Sequence, residues 1–299
     1  MKFKPFVSVI IPNYNHSQYL DERIQSVLNQ TYDHFEIIIL DDKSTDNSVD
    51  VINKYRNLSQ ISNIIVNEHN SGSPFSQWRK GVEISRGEIV WIAESDDSCS
   101  PDFLNELIEF YINNNLCMAF SRSLKLDRNG KKGEIVQKNV NEDIVLSGIY
   151  YIRNCLSLIT NASSAIFSRE IALSLDNYYW EYRGAGDWLF WAGIASKGNV
   201  GVLASPLNYY RVHGDNTTSR LFMDGTDFFE LNNIYRYFYN RGLWPFTRYF
   251  KACLLMIYNI KYNYAFYDES IRERLLTTWK YNRFIILILI MRVVRRLFT

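Results

Sequence analysis

Two adjacent acids, Asp41-Asp42, close the short apolar run Ile37-Ile38-Ile39-Leu40. Carboxylates at the end of a buried run are costly unless solvated, paired or liganded. As acceptors they suit a nucleobase or a ribose hydroxyl; the plainer alternative is a loop in which one Asp caps the next helix. Glu94-Ser95-Asp96-Asp97 is a denser cluster at the end of a second apolar run, Glu88–Ala93. Three carboxylates so close repel one another, and a divalent cation relieves that repulsion. Oxygen ligands suit Mg²⁺ or Mn²⁺ shared with substrate phosphates; without a cation the segment is a solvated acidic turn. Asp187 lies between a glycine-rich turn and an aromatic helix start in Gly184–Trp191. It reads either as a helix N-cap or as a general base whose pKa the neighbouring rings raise. Trp180, Tyr182 and Trp188 offer faces for a sugar ring, or else fill a core. Arg211 and His213 fall in one glycine-containing loop, Tyr209–Asn216; they read either as a surface pair and a satisfied core histidine, or as groups that hold a diphosphate and complete a metal site.

The elements that must position these residues alternate between two periods. Val7–Ile11 reads as a strand stopped by Pro12-Asn13-Tyr14-Asn15. Helical spacing follows over Ser17–Asn29, then the strand Glu36–Leu40. A helix from about Asp46 to Arg56 has Ser44 or Thr45 as its expected cap. Ile64-Ile65-Val66 is a third strand, Pro74–Ser85 a helix, Glu88–Ala93 a fourth strand and Pro101–Asn113 a fourth helix. Such alternation predicts an α/β fold with a mostly parallel sheet flanked by helices. Three of the polar clusters follow a strand directly, and in open α/β sheets ligands bind outside the carboxyl ends of the strands. From Leu116 to Arg220 the pattern is less regular, with strand-like runs at Met118–Ser121, Ala165–Phe167 and Val200–Leu203. From Asp227 on it is helical: Phe228–Tyr239, Phe246–Tyr262 and Glu269–Phe298.

The motif series resembles that of family 2 glycosyltransferases. Val7–Asn15, Leu28-Asn29-Gln30-Thr31-Tyr32 and Asp41–Asp46 resemble the family's opening. Asn70-Ser71-Gly72, Gly87-Glu88 and Glu94–Asp97 continue it. Gly186-Asp187-Trp188 is similar to its third acidic motif, and Tyr210-Arg211-Val212-His213 to its late basic motif. The likeness covers about residues 6 to 220. It implies the GT-A fold, a nucleotide-diphosphate sugar donor with UDP expected, a divalent metal (Mn²⁺ or Mg²⁺) and an inverting mechanism. It also implies that Asp41 and Asp42 contact the base and ribose, and that Pro12, Asn13, Tyr14 and Asn15 line the nucleotide pocket. Asp96 and Asp97 become the metal and diphosphate pair, with Arg211 and His213 assisting. Asp187 becomes the catalytic base, with Trp180, Tyr182 and Trp188 toward the acceptor. Three positions depart from the family pattern: Glu94 where Asp is more usual, Gly186 where Glu often precedes the Asp, and Gln77-Trp78 where Arg-Asn is frequent. Such variants point to bacterial surface-polysaccharide transferases (O-antigen, capsule or exopolysaccharide) with a saccharide acceptor, lipid-linked.

This organisation gives a catalytic domain over 1–225, divided into a donor half (1–115) and an acceptor half (116–225), and a helical extension over 226–299. The 299 residues carry 33 Lys+Arg against 32 Asp+Glu, so no net field draws in nucleic acid. The 47% hydrophobic content excludes disorder. Four cysteines at unrelated spacings suggest neither zinc nor a disulfide framework. With no leader ahead of the first strand, a reducing cytosol is expected. Within Phe284–Phe298, Arg292, Arg295 and Arg296 share one helical face beside an apolar run. That segment would span roughly 22 Å, too short to cross a bilayer. It suits an interfacial helix on the inner face of the cell membrane, or a packed terminal helix. Two other classes remain open: a sugar nucleotidyltransferase, which would want a glycine-rich loop after the first strand, and a non-catalytic scaffold of the same fold.

Overall fold

The structure, a computed structural model, describes residues 4–155, 159–213, 221, 224–263, 265, 267–275 and 277. The chain divides into two compact units, Met1–His213 and Gly214–Thr299.

The first unit opens as expected of alternating periods. It begins with β1 (Val7–Asn13), α1 (Ser17–Leu28), β2 (Phe35–Asp41) and α2 (Ser48–Asn53). Then come β3 (Ile61–Val66), α3 (Pro74–Ile84) and β4 (Ile89–Ile92). These strands are parallel in the order β3-β2-β1-β4, with Val7 opposite both Phe35 and Ile89. Ile37–Leu40 is wholly buried, which is why a run without polar alternation forms a strand covered on both faces. Pro74 opens α3 at a permitted first-turn position. The expected Ser44 or Thr45 cap is not used: Asn47 precedes α2 without a side-chain cap, and Ser44 is occupied elsewhere.

Beyond β4 the sheet turns mixed. β5 (Ser98–Cys99), α4 (Phe103–Asn113), β6 (Leu116–Leu126), β7 (Lys132–Ile135), β8 (Ile144–Ser147) and α5 (Gly148–Asn154) come next. β9 (Ala165–Ser168), α6 (Arg169–Leu173), α7 (Gly186–Ala195) and β10 (Asn199–Arg211) complete the unit. β9 runs antiparallel between β4 and β6, while β10 runs parallel to β6 and antiparallel to β5 and β8. Trp91 of β4 stacks on Phe103 at 4.4 Å and donates its indole N–H to the Ser163 carbonyl at 2.8 Å, filling the core beneath the acidic cluster.

The second unit contains α8 (Thr226–Asn240) and α9 (Phe246–Asn263), near the expected spans. Phe228, Met256, Ile260, Tyr267 and Leu275 form its core. On α9, Lys251, Leu254, Leu255, Tyr258, Lys261 and Tyr262 are exposed. Among the described residues no helix is long and apolar enough to cross a membrane. The expected interfacial helix over 284–298 lies outside the described residues.

Candidate active site

The loops leaving β1 and β2 lock together. Asn13 and Asp41 are register partners, and the Asn13 amide donates to Asp41 Oδ2 at 2.7 Å. Asp41 also accepts from the Ser44 backbone N–H (2.8 Å) and hydroxyl (2.6 Å). Asn15 adopts a left-handed turn (φ 57°), donates its N–H to Ser44 Oγ and accepts from the Thr45 N–H at 2.7 Å. Asn tolerates that conformation better than most residues. Asp42 accepts from Asn67 Nδ2 (2.6 Å), the Ser71 N–H (3.0 Å) and hydroxyl (2.7 Å), and Gln77 Nε2 (2.8 Å). Asp41 and Asp42 are 0% and 5% exposed. Expected to touch base and ribose, they brace the loops through these protein donors. Pro12 is buried, Tyr14 is 40% exposed, and Asn13 Oδ1 is a buried acceptor without a hydrogen-bond partner.

The acidic cluster after β4 splits by direction. Glu94 accepts from Trp78 Nε1 at 2.9 Å; burial, then the charge of Asp96, pushes its carboxyl up to about 8. Asp97 turns inward. It accepts from the Arg211 backbone N–H at 2.9 Å and from Asn161 Nδ2, with Arg23 at 3.9 Å. Burial and the neighbouring Asp96 push it up to about 7. Both oxygens of Asp97 thus accept from protein donors. Asp96 faces His213, with Oδ2 2.9 Å from Nε2. Burial alone would raise Asp96, but the His213 hydrogen bond and the charges of His16 and His213 hold it below the ordinary Asp value.

Arg211 points inward as well. It is 1% exposed, and its guanidinium donates to the Asp96 carbonyl (2.7 Å), the Asp127 carbonyl (3.1 Å) and Glu22 Oε2 (2.6 Å). It ties the acidic turn, where its diphosphate role was expected, to α1. His16 was not anticipated. Its Nδ1 lies 2.8 Å from Ser95 Oγ, and ligand-capable atoms of His16, Asp96 and His213 lie within 4.8 Å of one another. The available signal was a histidine directly after the Pro12–Asn15 turn, in a chain with 4 histidines. Asn161 and Arg23 were missed too, and neither stands in a recognisable motif.

Asp187 is half-buried in the first turn of α7, with Ala185 as the N-cap, so it is not the cap itself. Its charge, after burial, helps hold the buried Tyr151 phenol well above the ordinary value. Gly186 explains the missing Glu: a Cβ there would meet the Tyr179 carbonyl at 2.4 Å and the Phe75 ring at 2.7 Å. Trp180, Tyr182 and Trp188 are half-buried, whereas Tyr179 and Trp191 belong to the core.

Helix α3 joins the three regions. Gln77 reaches Asp42, and Trp78 reaches Glu94. Ser76 donates to the Trp180 carbonyl at 3.2 Å, while the Arg79 guanidinium lies 3.8 Å from the Trp180 ring. Gln77-Trp78, unusual as sequence, is therefore structural wiring between the donor side and the aromatic loop.

The β3-β2-β1-β4 sheet with polar loops at its carboxyl edge is the GT-A arrangement. In overall fold the chain is similar to Staphylococcus aureus TarS 1-349 in complex with UDP-GlcNAc, with a TM-score of 0.60 and 19% identity over 93% of this chain and 72% of that one. The family model for glycosyl transferase family 2 matches residues 8–173, and the chain belongs to that family. Among curated proteins it is 34% identical over 119 residues to the putative teichuronic acid biosynthesis glycosyltransferase TuaG of Bacillus subtilis. That match covers 40% of this chain and 47% of TuaG, so the chain spans about half the length of that relative. An uncharacterized glycosyltransferase of Haemophilus influenzae is 27% identical over 223 residues, 72% of this chain and 68% of that protein.

Proposed function

We propose that the chain transfers a sugar from a UDP-linked donor to a saccharide acceptor of a bacterial surface polymer, with inversion at the anomeric carbon. The observation that carries this is Asp96 paired with His213 at the carboxyl edge of the sheet, beside the locked β1 and β2 loops. The name of TuaG supports a surface-polymer acceptor, and the UDP-GlcNAc held by TarS supports a UDP-sugar donor.

In this reading Asp187 takes the proton of the acceptor hydroxyl as that oxygen attacks the anomeric carbon, and the nucleoside diphosphate departs from the opposite face. Trp180, Tyr182 and Trp188 offer partly exposed ring faces to the acceptor. Tyr14 and the unpartnered Asn13 Oδ1 serve the nucleobase, whose ring stacks and whose N–H groups donate. A carboxylate and an imidazole already in contact fit a divalent cation, Mn²⁺ or Mg²⁺, held by Asp96 and His213. When bound, the cation neutralises charge on the diphosphate. The acceptor is lipid-linked and the chain peripheral on the inner membrane face, through the segment 284–298.

Isothermal titration with UDP, GDP and dTDP, each with and without Mn²⁺, tests the donor site. Metal-dependent binding of UDP is expected, and failure of all three nucleotides to bind refutes it. Asp187→Asn should keep UDP binding and lower transfer by roughly 10²–10⁴-fold, the usual worth of a general base. Turnover preserved in that variant would take the proton-accepting role from Asp187.

A further inference from the structure

We propose that His16 is a third protein ligand of the cation. It would make the site a two-imidazole, one-carboxylate centre that takes Mn²⁺ in preference to Mg²⁺ and holds it without nucleotide. This rests on the reading of Asp96 and His213 as the cation site.

The three side chains come from separate elements, yet each is fixed. His16 follows the turn that Asn15 pins to Ser44 and Thr45, and its own carbonyl accepts from the Tyr19 and Leu20 N–H groups at the start of α1. Its ring is anchored at Nδ1 by Ser95 Oγ (2.8 Å), as metal-binding imidazoles are ordinarily held through the nitrogen away from the ion. The ring meets His213 edge-on, with centroids 5.7 Å apart and planes at 85°, and His213 leans on Tyr19 at 5.4 Å. Asp96 is set by the Arg211 bond to its carbonyl, and β10 delivers His213 two residues after its end.

The spacing suits one ion. Around an octahedral cation with arms of about 2.1 Å, neighbouring ligand atoms lie roughly 3 Å apart and opposite ones roughly 4.2 Å apart. Asp96 Oδ2 and His213 Nε2 lie 2.9 Å apart, and all three ligand-capable atoms lie within 4.8 Å of one another. Donor chemistry then selects the metal. Mg²⁺ prefers oxygen and parts with water reluctantly, so two imidazoles suit it poorly. Mn²⁺ accepts carboxylate and imidazole together. Three protein arms hold such an ion before any diphosphate arrives, whereas a single carboxylate with one imidazole leaves most of the sphere to substrate.

The test uses the full chain without nucleotide and Mn²⁺ as the probe, reading free Mn²⁺ by electron paramagnetic resonance. One tightly bound Mn²⁺ per chain is expected, retained against a hundredfold excess of Mg²⁺. His16→Ala should weaken it at least tenfold. Equal affinity in that variant, or displacement by equimolar Mg²⁺, overturns the proposal. Should the variant misfold, electron spin echo modulation on the wild-type protein decides alone: two imidazole nitrogens coupled to Mn²⁺ support it, one refutes it. UDP titration of the same sample separates the two readings. UDP binding with one-nitrogen Mn²⁺ removes His16 and keeps the transferase. Two-nitrogen Mn²⁺ without nucleotide binding does the reverse.

Discussion

Acidic side chains at the strand ends differ in what their oxygens already hold. Asp42 accepts from Asn67, Ser71 and Gln77, so its substitution leaves several buried donors poorly matched. Asp42→Asn should therefore lower unfolding stability by ~1–3 kcal/mol, the usual cost of a mismatched buried hydrogen-bonding group, measurable by urea denaturation. That Asp42 braces the loops was not legible in the sequence. Clusters after apolar runs were visible because turn residues interrupt strands, and this located Asp41, Asp42, Asp96 and Asp97. Adjacent residues on a turn have no periodicity, however, so nothing distinguished the inward Asp97 from Asp96, which meets His213. The partners of Arg211 were hidden for a similar reason. A buried guanidinium and a substrate clamp look alike as letters, and the carbonyls that saturate this one come from positions 96 and 127. His16 carried no motif of its own, and its partners appear only when β1, β4 and β10 are side by side.

At the scale of elements, one buried acid staples three chain segments. Glu36 on β2 accepts from Ser8 Oγ on β1 (2.6 Å) and from the backbone and guanidinium of Arg86 ahead of β4 (2.6–2.9 Å). Gly87 follows with no room for a side chain: a Cβ would sit 2.5 Å from the Ser8 nitrogen. Burial alone would raise the Glu36 carboxyl, but the Arg86 and Ser8 hydrogen bonds outweigh it and hold the group below the ordinary 4.5. Its folded value being depressed, its contribution is complete above about pH 4.5 and fades as pH falls through the lower folded value. Glu36→Gln should thus cost ~1–3 kcal/mol near pH 7, and the two melting curves should converge in acid. The parallel strands were legible because their runs are continuous, apolar and closed by turn residues. β7 and β8 were not: Lys132-Gly133-Glu134-Ile135 is mostly exposed, and it is a strand because β6 pairs with it. β6 and β10 also outrun the expected Met118–Ser121 and Val200–Leu203, since neighbours on both sides carry their polar stretches.

Across the whole molecule, charge is unevenly divided. Residues 214–299 hold thirteen Lys and Arg against seven Asp and Glu, and residues 1–213 hold twenty against twenty-five. A near-neutral total thus hides a basic C-terminal unit, the polarity an anionic leaflet attracts. Sedimentation with vesicles containing phosphatidylglycerol should show binding at 50 mM NaCl that weakens severalfold by 300 mM, as the Debye length shortens from about 14 to about 6 Å. Binding indifferent to salt and to lipid charge would remove the electrostatic attachment. The long reach of β10 has a different consequence, in time rather than space. His213 meets Asp96, 117 residues earlier, and Arg211 meets Glu22, 189 residues earlier. Contacts so distant along the chain close slowly, because the intervening loop must be ordered before they repay its entropy. On the ribosome the turn after β4 therefore waits, its carboxylates without their imidazole and guanidinium partners, until residues 211–213 have emerged. In refolding from urea, Mn²⁺ capture should accordingly trail the return of helical circular dichroism, whereas simultaneous recovery would mean that β10 docks among the first elements.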